Sequence, residues 1–503
     1  MMKMMIKILH TADLHLGVET YGVTGKDGIN SRITDYLTTL DDLVSEAAKH
    51  NVDVFIIAGD VFENERPSNY VVSEFAKRVR KLLDLGITVI ITPGNHETSS
   101  SVRIPSPIEV FKALRPQKND EPDVVCEVLG RQPISPGDKE SLGDITLVPT
   151  KSGKLQVLAM PYPRRSEILS SDEMKNQTKT QNKVLAGSKY LERIEQLTSK
   201  AIPGLPTIFI GHFGIKEAEL QPGKKGYLAD DVVITIFDLT CSISDSKAHF
   251  SYVALGHYHN PQMPQFGLTQ PVIEEDMDGL KDELSGNNPC RDWDKTYKEL
   301  IPVDIDSLHS CKKPVKSIPC VYSGAPCRRD FQDGSRPRKY VIVEISEDGS
   351  AGSFHEIRSA RQLRELTIKN VDLWEKELEE KLQNSSFWGP AFKAFMDGLP
   401  IDEVLKALST PAPIFRIRMP EEGRPHWPVI RAYLEKTGLF ERIAAPYCPP
   451  TKNKQVKSSI GVAESPLDAV ASYLSYQKDD YSIKNIDKIR EQAEKIMQDA
   501  GAL

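Results

Sequence analysis

The first hundred residues alternate between short, wholly apolar runs and longer stretches with a helical repeat. Residues 6–10 read as a strand, and residues 33–49 as a helix with Leu37, Leu40, Val44 and Ala47 on one face. Residues 52–58 form a second apolar run, and Ser68 is an N-cap for a helix reaching Leu85. Residues 87–92 give a third strand, closed by Pro93-Gly94. This βαβαβ order predicts parallel strands with right-handed crossovers, and ligand binding beyond the carboxyl ends of the strands.

Farther on the strands shorten. Residues 145–149 and 155–160 flank the turn signal Lys151-Ser-Gly-Lys154, which predicts a hairpin. Residues 164–200 are polar and read as a loop plus a helix. Buried strands return at 207–210, 252–255, 321–331 and 340–345. Residues 266–316 are acidic, then mixed, with poor periodicity, and read as a surface insertion. After Arg361 the chain is helix-rich, with a strand at 411–419 and a helix at 427–436. A Pro-Pro-Thr-Lys-Asn-Lys run at 449–454 reads as a linker to two amphipathic helices, 466–476 and 486–500. The expected units are therefore residues 1–362 with an insertion at about 264–317, a small domain at 363–448, and a linker with C-terminal helices at 449–503.

Bulk composition narrows the class. With 39% hydrophobic and 27% charged residues, the chain is expected to be soluble and globular, not largely disordered. A net charge of −7 excludes a global basic field, so any nucleic-acid contact must come from local patches. No apolar run approaches the roughly 18 residues of a membrane span. The apolar start of the chain is broken by Lys3 and Lys7 and runs into Asp13, which argues against secretion. The 7 cysteines, without CxxC spacing, fit a reducing cytoplasm.

The chemistry sits where the strands end. The first ends in Asp13-Leu-His15, the second in Gly59-Asp60, the third in Gly94-Asn95-His96-Glu97. Later strands end in Gly211-His212 and Gly256-His257-Tyr-His259. Glycine before Asp60, Asn95, His212 and His257 lets the backbone turn sharply into a crowded centre. Singly, each piece is an ordinary loop residue or helix cap. In series, on one α/β sheet, they form a carboxylate, imidazole and amide set without cysteine, suited to manganese, iron or zinc. There are more donors than one ion needs, and they fit two ions bridged by one carboxylate, about 3.5–4 Å apart.

The order DxH, GD, GNH, GH, GHxH resembles the calcineurin-like metallophosphoesterases. Three longer stretches are similar to the SbcD nuclease family, the bacterial counterpart of the Mre nuclease of double-strand-break repair: residues 10–17, residues 58–62 with Arg66-Pro-Ser68, and residues 252–259. Tyr322-Ser-Gly-Ala-Pro326 also matches. The resemblance covers about the first 360 residues well and the rest loosely. It implies an α/β (α+β) fold, a metallophosphoesterase β-sandwich flanked by helices, with a small α/β capping domain and C-terminal helices.

By that resemblance Asp13, His15, Asp60 and His259 hold one ion, Asp60 bridges, and Asn95, His212 and His257 complete the second. His96 is then the catalytic residue that meets the scissile phosphate and assists the leaving oxygen. The implied cofactors are two divalent ions per chain, manganese first, with magnesium, iron or zinc as alternatives. The implied activity is a 3′–5′ double-strand exonuclease and a single-strand or hairpin endonuclease acting on DNA ends in double-strand-break repair. The implied partners are DNA ends and hairpins, an SbcC-type SMC-like coiled-coil ATPase and a second copy of the chain within a heterotetramer. The expected location is the cytoplasm, at the nucleoid, with no membrane involved.

Some features depart from the family pattern. Glu97 stands where Asp usually follows Asn-His, and its extra methylene is expected to shift His96. Glu63 occupies a position that is often Asp or His, which opens the balance between exonuclease and endonuclease. Cys290, Cys311, Cys320 and Cys327, with His309, match no standard zinc spacing. Arg328, Arg329, Arg336 and Arg338 form the densest basic cluster near the core, either a solvated loop or a contact for DNA phosphates. The rival functions are a phosphatase or small-molecule phosphodiesterase on the same core, and a catalytically silent DNA-end-binding scaffold.

Overall fold

Strands β1 (Ile6–Thr11), β2 (Val54–Ala58) and β3 (Thr88–Thr92) are buried at every position but Lys7, because both of their faces are covered. Leu9, Phe55, Ile57, Val89 and Ile91 face helices α1 (Ser31–Lys49) and α2 (Asn69–Asp84), which bring Leu40, Val44, Phe75 and Val79 to the same cluster. The alternate residues Ile8, Val54, Ile56 and Ile90 face a second sheet. Helix α2 starts at the Ser68 cap, whose side chain accepts from the Val71 N–H.

The computed structural model describes residues 5–98, 105–114, 124–130, 142–175, 178–221, 224–225, 231–232, 234–244, 246–264, 318–333, 336–346, 349–385, 389–399, 413–440 and 442–449. The 266–316 insertion lies outside these residues, with its Cys290, Cys311 and His309, and so do the two expected terminal helices.

After β4 (Cys126–Val128), the hairpin β5 (Asp144–Thr150) and β6 (Gly153–Met160) forms as its turn signal requires. β6 is followed by β7 (Thr207–His212), then by β8 (Glu219–Gln221) and β9 (Lys224–Lys225), a separate ribbon. β10 (Phe250–Gly256) and β11 (Cys320–Tyr322) complete the second sheet, ordered β11-β10-β7-β6-β5. Its outer face packs on the helices Lys179–Thr198 and Ile236–Ser244 through Tyr190, Ile194, Leu239 and Ile243.

The first sheet is widened from far away in sequence. β12 (Lys339–Ser346) pairs antiparallel with β1, and β13 (Gly349–Glu356) with β12, giving the order β13-β12-β1-β2-β3-β4. The two sheets stack with helices outside, and His10 Nδ1 meets Tyr252 Oη between them at 2.8 Å. This is the helix-flanked β-sandwich expected from the sequence. The strand expected over 321–331 stops at Tyr322, because Gly324 turns the chain at φ 76°. A Cβ on Gly324 would lie 2.7 Å from the His259 carbonyl oxygen.

A third sheet, β14 (Leu363–Thr367), β15 (Ile414–Arg418) and β16 (Arg442–Ile443), is parallel throughout. It packs its own core of Leu378, Phe392, Phe415, Ile417, Ile430 and Leu434. Among the described residues no helix is long and apolar enough to cross a membrane.

Candidate metal centre

β1, β2 and β3 run parallel, as do β6, β7, β10 and β11, so the carboxyl ends of both sheets can converge on one edge. The loop after β1 extends the ladder onto the loop after β2: the Asp13 and His15 N–H groups donate to the Gly59 and Asp60 carbonyls, each at 3.0 Å. To turn their side chains inward, Asp13, His15, Asp60 and His257 take left-handed φ values of 54°, 45°, 51° and 96°. Each costs on the order of 1 kcal/mol or more, strain typical of functional sites.

The glycines before Asp60, Asn95, His212 and His257 have a steric reason, as Gly94 and Gly256 show. A Cβ on Gly94 would lie 2.1 Å from Asp60 Oδ1, and one on Gly256 would lie 1.9 Å from the Ala58 carbonyl oxygen.

Ligand atoms from Asp13, His15 and His259 lie within 4.8 Å of one another, as do those of Asp13, Asp60 and His212 and those of His15, Asp60 and His96. Asn95 joins them, its Oδ1 3.1 Å from His212 Nε2 and 3.0 Å from His257 Nδ1. The structure thus brings together every residue of the expected ligand set, and sets His96 beside it.

Each ligand-type imidazole has one nitrogen engaged outside the centre. His212 Nδ1 donates to the Ala58 carbonyl at 2.8 Å. His257 Nε2 meets Asp231 Oδ1 at 3.0 Å, and His259 Nδ1 meets Asp333 Oδ1 at 3.0 Å. His15 Nδ1 lies 3.1 Å from Glu63 Oε2. Outer partners of this kind fix the tautomer and aim the other nitrogen at a metal. The inward nitrogens then face acceptors: His15 Nε2 meets His259 Nε2 at 3.1 Å, and His212 Nε2 lies 3.3 Å from Asp60 Oδ2. Lone pair against lone pair requires a positive centre between them, a proton or a metal ion. Several such approaches in one cluster fit the pair of divalent ions.

The electrostatics agree. Burial alone would lower the His212 imidazole, but the Asp60 carboxylate raises it to about 10. Burial likewise opposes the Asp60 charge, yet His212 holds that carboxyl well below the usual range. Burial lowers His15, whereas at His259 the Asp333 carboxylate outweighs burial and raises the imidazole. These groups are poised for positive charge among them.

His96, next to His15 and Asp60, is held from a different side. Its Nδ1 donates to the Glu63 carbonyl at 2.7 Å, its backbone N–H to Asp60 Oδ1 at 2.9 Å. Its Nε2 faces a cavity of about 260 Å³ lined by Asp60, Asn95, His257, His259 and Arg329. Arg329 Nη1 lies 3.3 Å from that nitrogen, while Nη2 pairs with Glu63 Oε1 at 2.7 Å.

Glu97 turns away from this cavity. Its Oε1 accepts from the Val61 N–H at 2.9 Å, and burial, then the Asp60 charge, push its carboxyl well above the usual range. The longer side chain therefore braces the turn after Asp60.

The arginine cluster divides. Arg328 and Arg338 are buried and donate to backbone carbonyls, Arg328 to Arg336 at 2.7 Å and Arg338 to His259 at 2.8 Å. For these two the expected DNA contact is corrected to a framework role, since a guanidinium bonded under a loop does not reach a phosphate. Arg329 and Arg336 keep 37% and 47% side-chain exposure. Cys320 and Cys327 lie in different core clusters, which removes them from a shared zinc site.

Sequence reasoning missed Asp231 and Asp333. Neither follows a strand, and Asp333 is hidden within a run that reads as basic.

The family model for calcineurin-like phosphoesterases matches residues 6–261, just over half of the chain. The DNA double-strand break repair protein Mre11 of Aeropyrum pernix is 26% identical over 356 residues, 68% of this chain and 73% of the relative. The SbcD component of the nuclease SbcCD from Escherichia coli K12 is 25% identical over 263 residues, 51% of this chain and 57% of the relative, so the chain spans little more than half of that protein. A dimetal phosphatase from Danio rerio aligns with a TM-score of 0.34 at 7% identity, covering 70% of this chain and 99% of its own. Ligand series, sandwich and family match agree: the chain belongs to the calcineurin-like phosphoesterase family, metal-dependent hydrolases of phosphate esters.

Proposed function

We propose that the chain is a two-metal DNA nuclease that processes DNA ends and hairpins in double-strand-break repair, acting with an SbcC-type ATPase. The observation that carries the metal chemistry is the convergence of Asp13, His15, Asp60, Asn95, His212, His257 and His259, with His96 beside them. DNA as the substrate is supported by the similarity to Mre11 and SbcD proteins. Manganese is the proposed ion, since carboxylate, imidazole and amide donors without thiolate suit it.

Bound ions of this kind activate water and neutralise charge on the phosphoryl oxygens. The chain's own residues divide the remaining work. Asp13, His15, Asp60 and His259 would hold one ion, and Asp60, Asn95, His212 and His257 the other. His96, fixed through Nδ1 on the Glu63 carbonyl, presents Nε2 to the cavity, where it contacts the scissile phosphate and protonates the leaving oxygen. Arg336, the more exposed of the cluster's two accessible arginines, contributes to holding the DNA backbone.

Residues 1–362 are the nuclease unit and 363–448 a capping unit that guides DNA. The 449–503 segment docks on the ATPase, and two chains pair in a cytoplasmic complex at the nucleoid.

The test is a manganese-dependent assay on hairpin and duplex DNA, with and without the ATPase. Cleavage of both, enhanced by the ATPase, is the expected result. A metal-loaded preparation that cleaves only small phosphoesters would overturn the nuclease reading and favour a phosphatase or small-molecule phosphodiesterase.

A further inference from the structure

Phe331 joins the metal centre to the small parallel sheet. Its ring meets Tyr21 edge-on with centroids 4.9 Å apart, and the Arg416 guanidinium lies over it at 4.0 Å. Arg416 comes from β15 and is clamped by Glu365 of β14, with Nε and Nη2 at 2.7 and 2.6 Å from Oε2. Phe331 opens a 3₁₀ turn, Phe331–Asp333, none of whose residues is buried. A turn this short has no core of its own, so lateral contacts decide where it sits.

That placement matters at the turn's other end. Asp333 Oδ1 holds His259 Nδ1 at 3.0 Å, while its Oδ2 accepts the Arg329 N–H at 2.5 Å. Glu365, Arg416, Phe331, Asp333 and His259 thus form an unbroken run of contacts from the small sheet to an inward-facing ligand nitrogen.

We infer that Arg416 is a positioning residue for the metal centre: stacked on Phe331, it fixes the turn that aims Asp333 at His259, so the small sheet sets the affinity of one ion. A planar guanidinium suits this task because it stacks on an aromatic face while its edge stays bonded to a carboxylate. The inference rests on the proposed metal site but not on DNA as the substrate.

The test is calorimetric titration of the full chain with manganese alone, without DNA. Arg416→Ala is expected to weaken one of two binding events about tenfold, the lower end of what losing an outer partner of a ligating histidine costs, and to leave the other unchanged. Phe331→Leu is expected to do the same, and Phe331→Trp to restore most of the affinity. Because the residues act in series, adding Arg416→Ala to Asp333→Asn should weaken binding no further.

Manganese binding unmoved by Arg416→Ala, or additive effects in the double variant, would overturn this inference alone. A wild-type chain that takes up no manganese would overturn the metal reading as well. If circular dichroism shows Arg416→Ala unfolded, the two Phe331 variants carry the same test: equal affinities in both would refute the inference.

Discussion

His15 Nε2 and His259 Nε2 face one another at 3.1 Å across 244 residues of sequence. Their outer nitrogens lie against Glu63 and Asp333, so the inward pair can share either a proton or a metal ion. Manganese should therefore raise the melting temperature and a chelator lower it. At a hundredfold excess over Kd the gain is about 2.7 kcal/mol. Scanning calorimetry with and without manganese measures it, and an unchanged melting temperature would contradict the metal site.

His96 is held by backbone contacts near the ligands, and its Nε2 points into the cavity. His96→Ala should keep two manganese ions per chain by elemental analysis while cleavage falls about 10²–10⁴-fold, the usual weight of a general acid. Loss of an ion in this variant would make His96 a ligand instead.

Asp231 meets His257 Nε2 at 3.0 Å and also accepts the Tyr162 hydroxyl at 3.1 Å. Asp231→Asn removes the charge while keeping the shape. Manganese affinity should drop about 10–100-fold, with little change in the melting temperature of the metal-free protein. Equal loss of both would mark Asp231 as purely structural.

Gly94 leaves no room for a methyl group, since its Cβ would come within 2.1 Å of Asp60 Oδ1 and 2.3 Å of the Asp60 nitrogen. Gly94→Ala must displace the Asp60 carboxylate or its backbone. A destabilisation of about 1–3 kcal/mol is expected, with loss of metal uptake, as for other overpacked sites. Denaturant unfolding and manganese titration read the two effects separately.

Glu167 is buried, and its Oε1 comes no nearer than 4.0 Å to Arg164 Nη1. Burial pushes its carboxyl from 4.5 to about 7. Between these two values the folded chain keeps a proton that the unfolded chain releases. Stability therefore falls as pH rises through this window, by up to about 1.4 kcal/mol per pH unit, and the loss is complete above it. Glu167→Gln should flatten that slope in urea unfolding at several pH values. An identical slope in the variant would show that Glu167 ionises freely.

The candidate ligand residues that the fold gathers stood out in the sequence because each ends or follows a largely apolar strand, and glycine before four of them marks where the backbone must turn. The period of the helices and the doubly buried strands likewise read directly from local pattern, since local sterics and burial impose them. The outer shell was not legible. Asp231 sits on a loop and Asp333 in a single 3₁₀ turn, neither with a readable period, and only the folded chain brings them to His257 and His259.

Burial was equally hidden. Arg328 and Arg338 look like their exposed neighbours in sequence, yet the loop closes over them and binds them to carbonyls. The sequence by itself determined which atoms could bind a metal. The tertiary structure decided how Asp13 and His15 are used, because strand pairing, a relation between distant segments, places His259 opposite His15 and aims both nitrogens at one point.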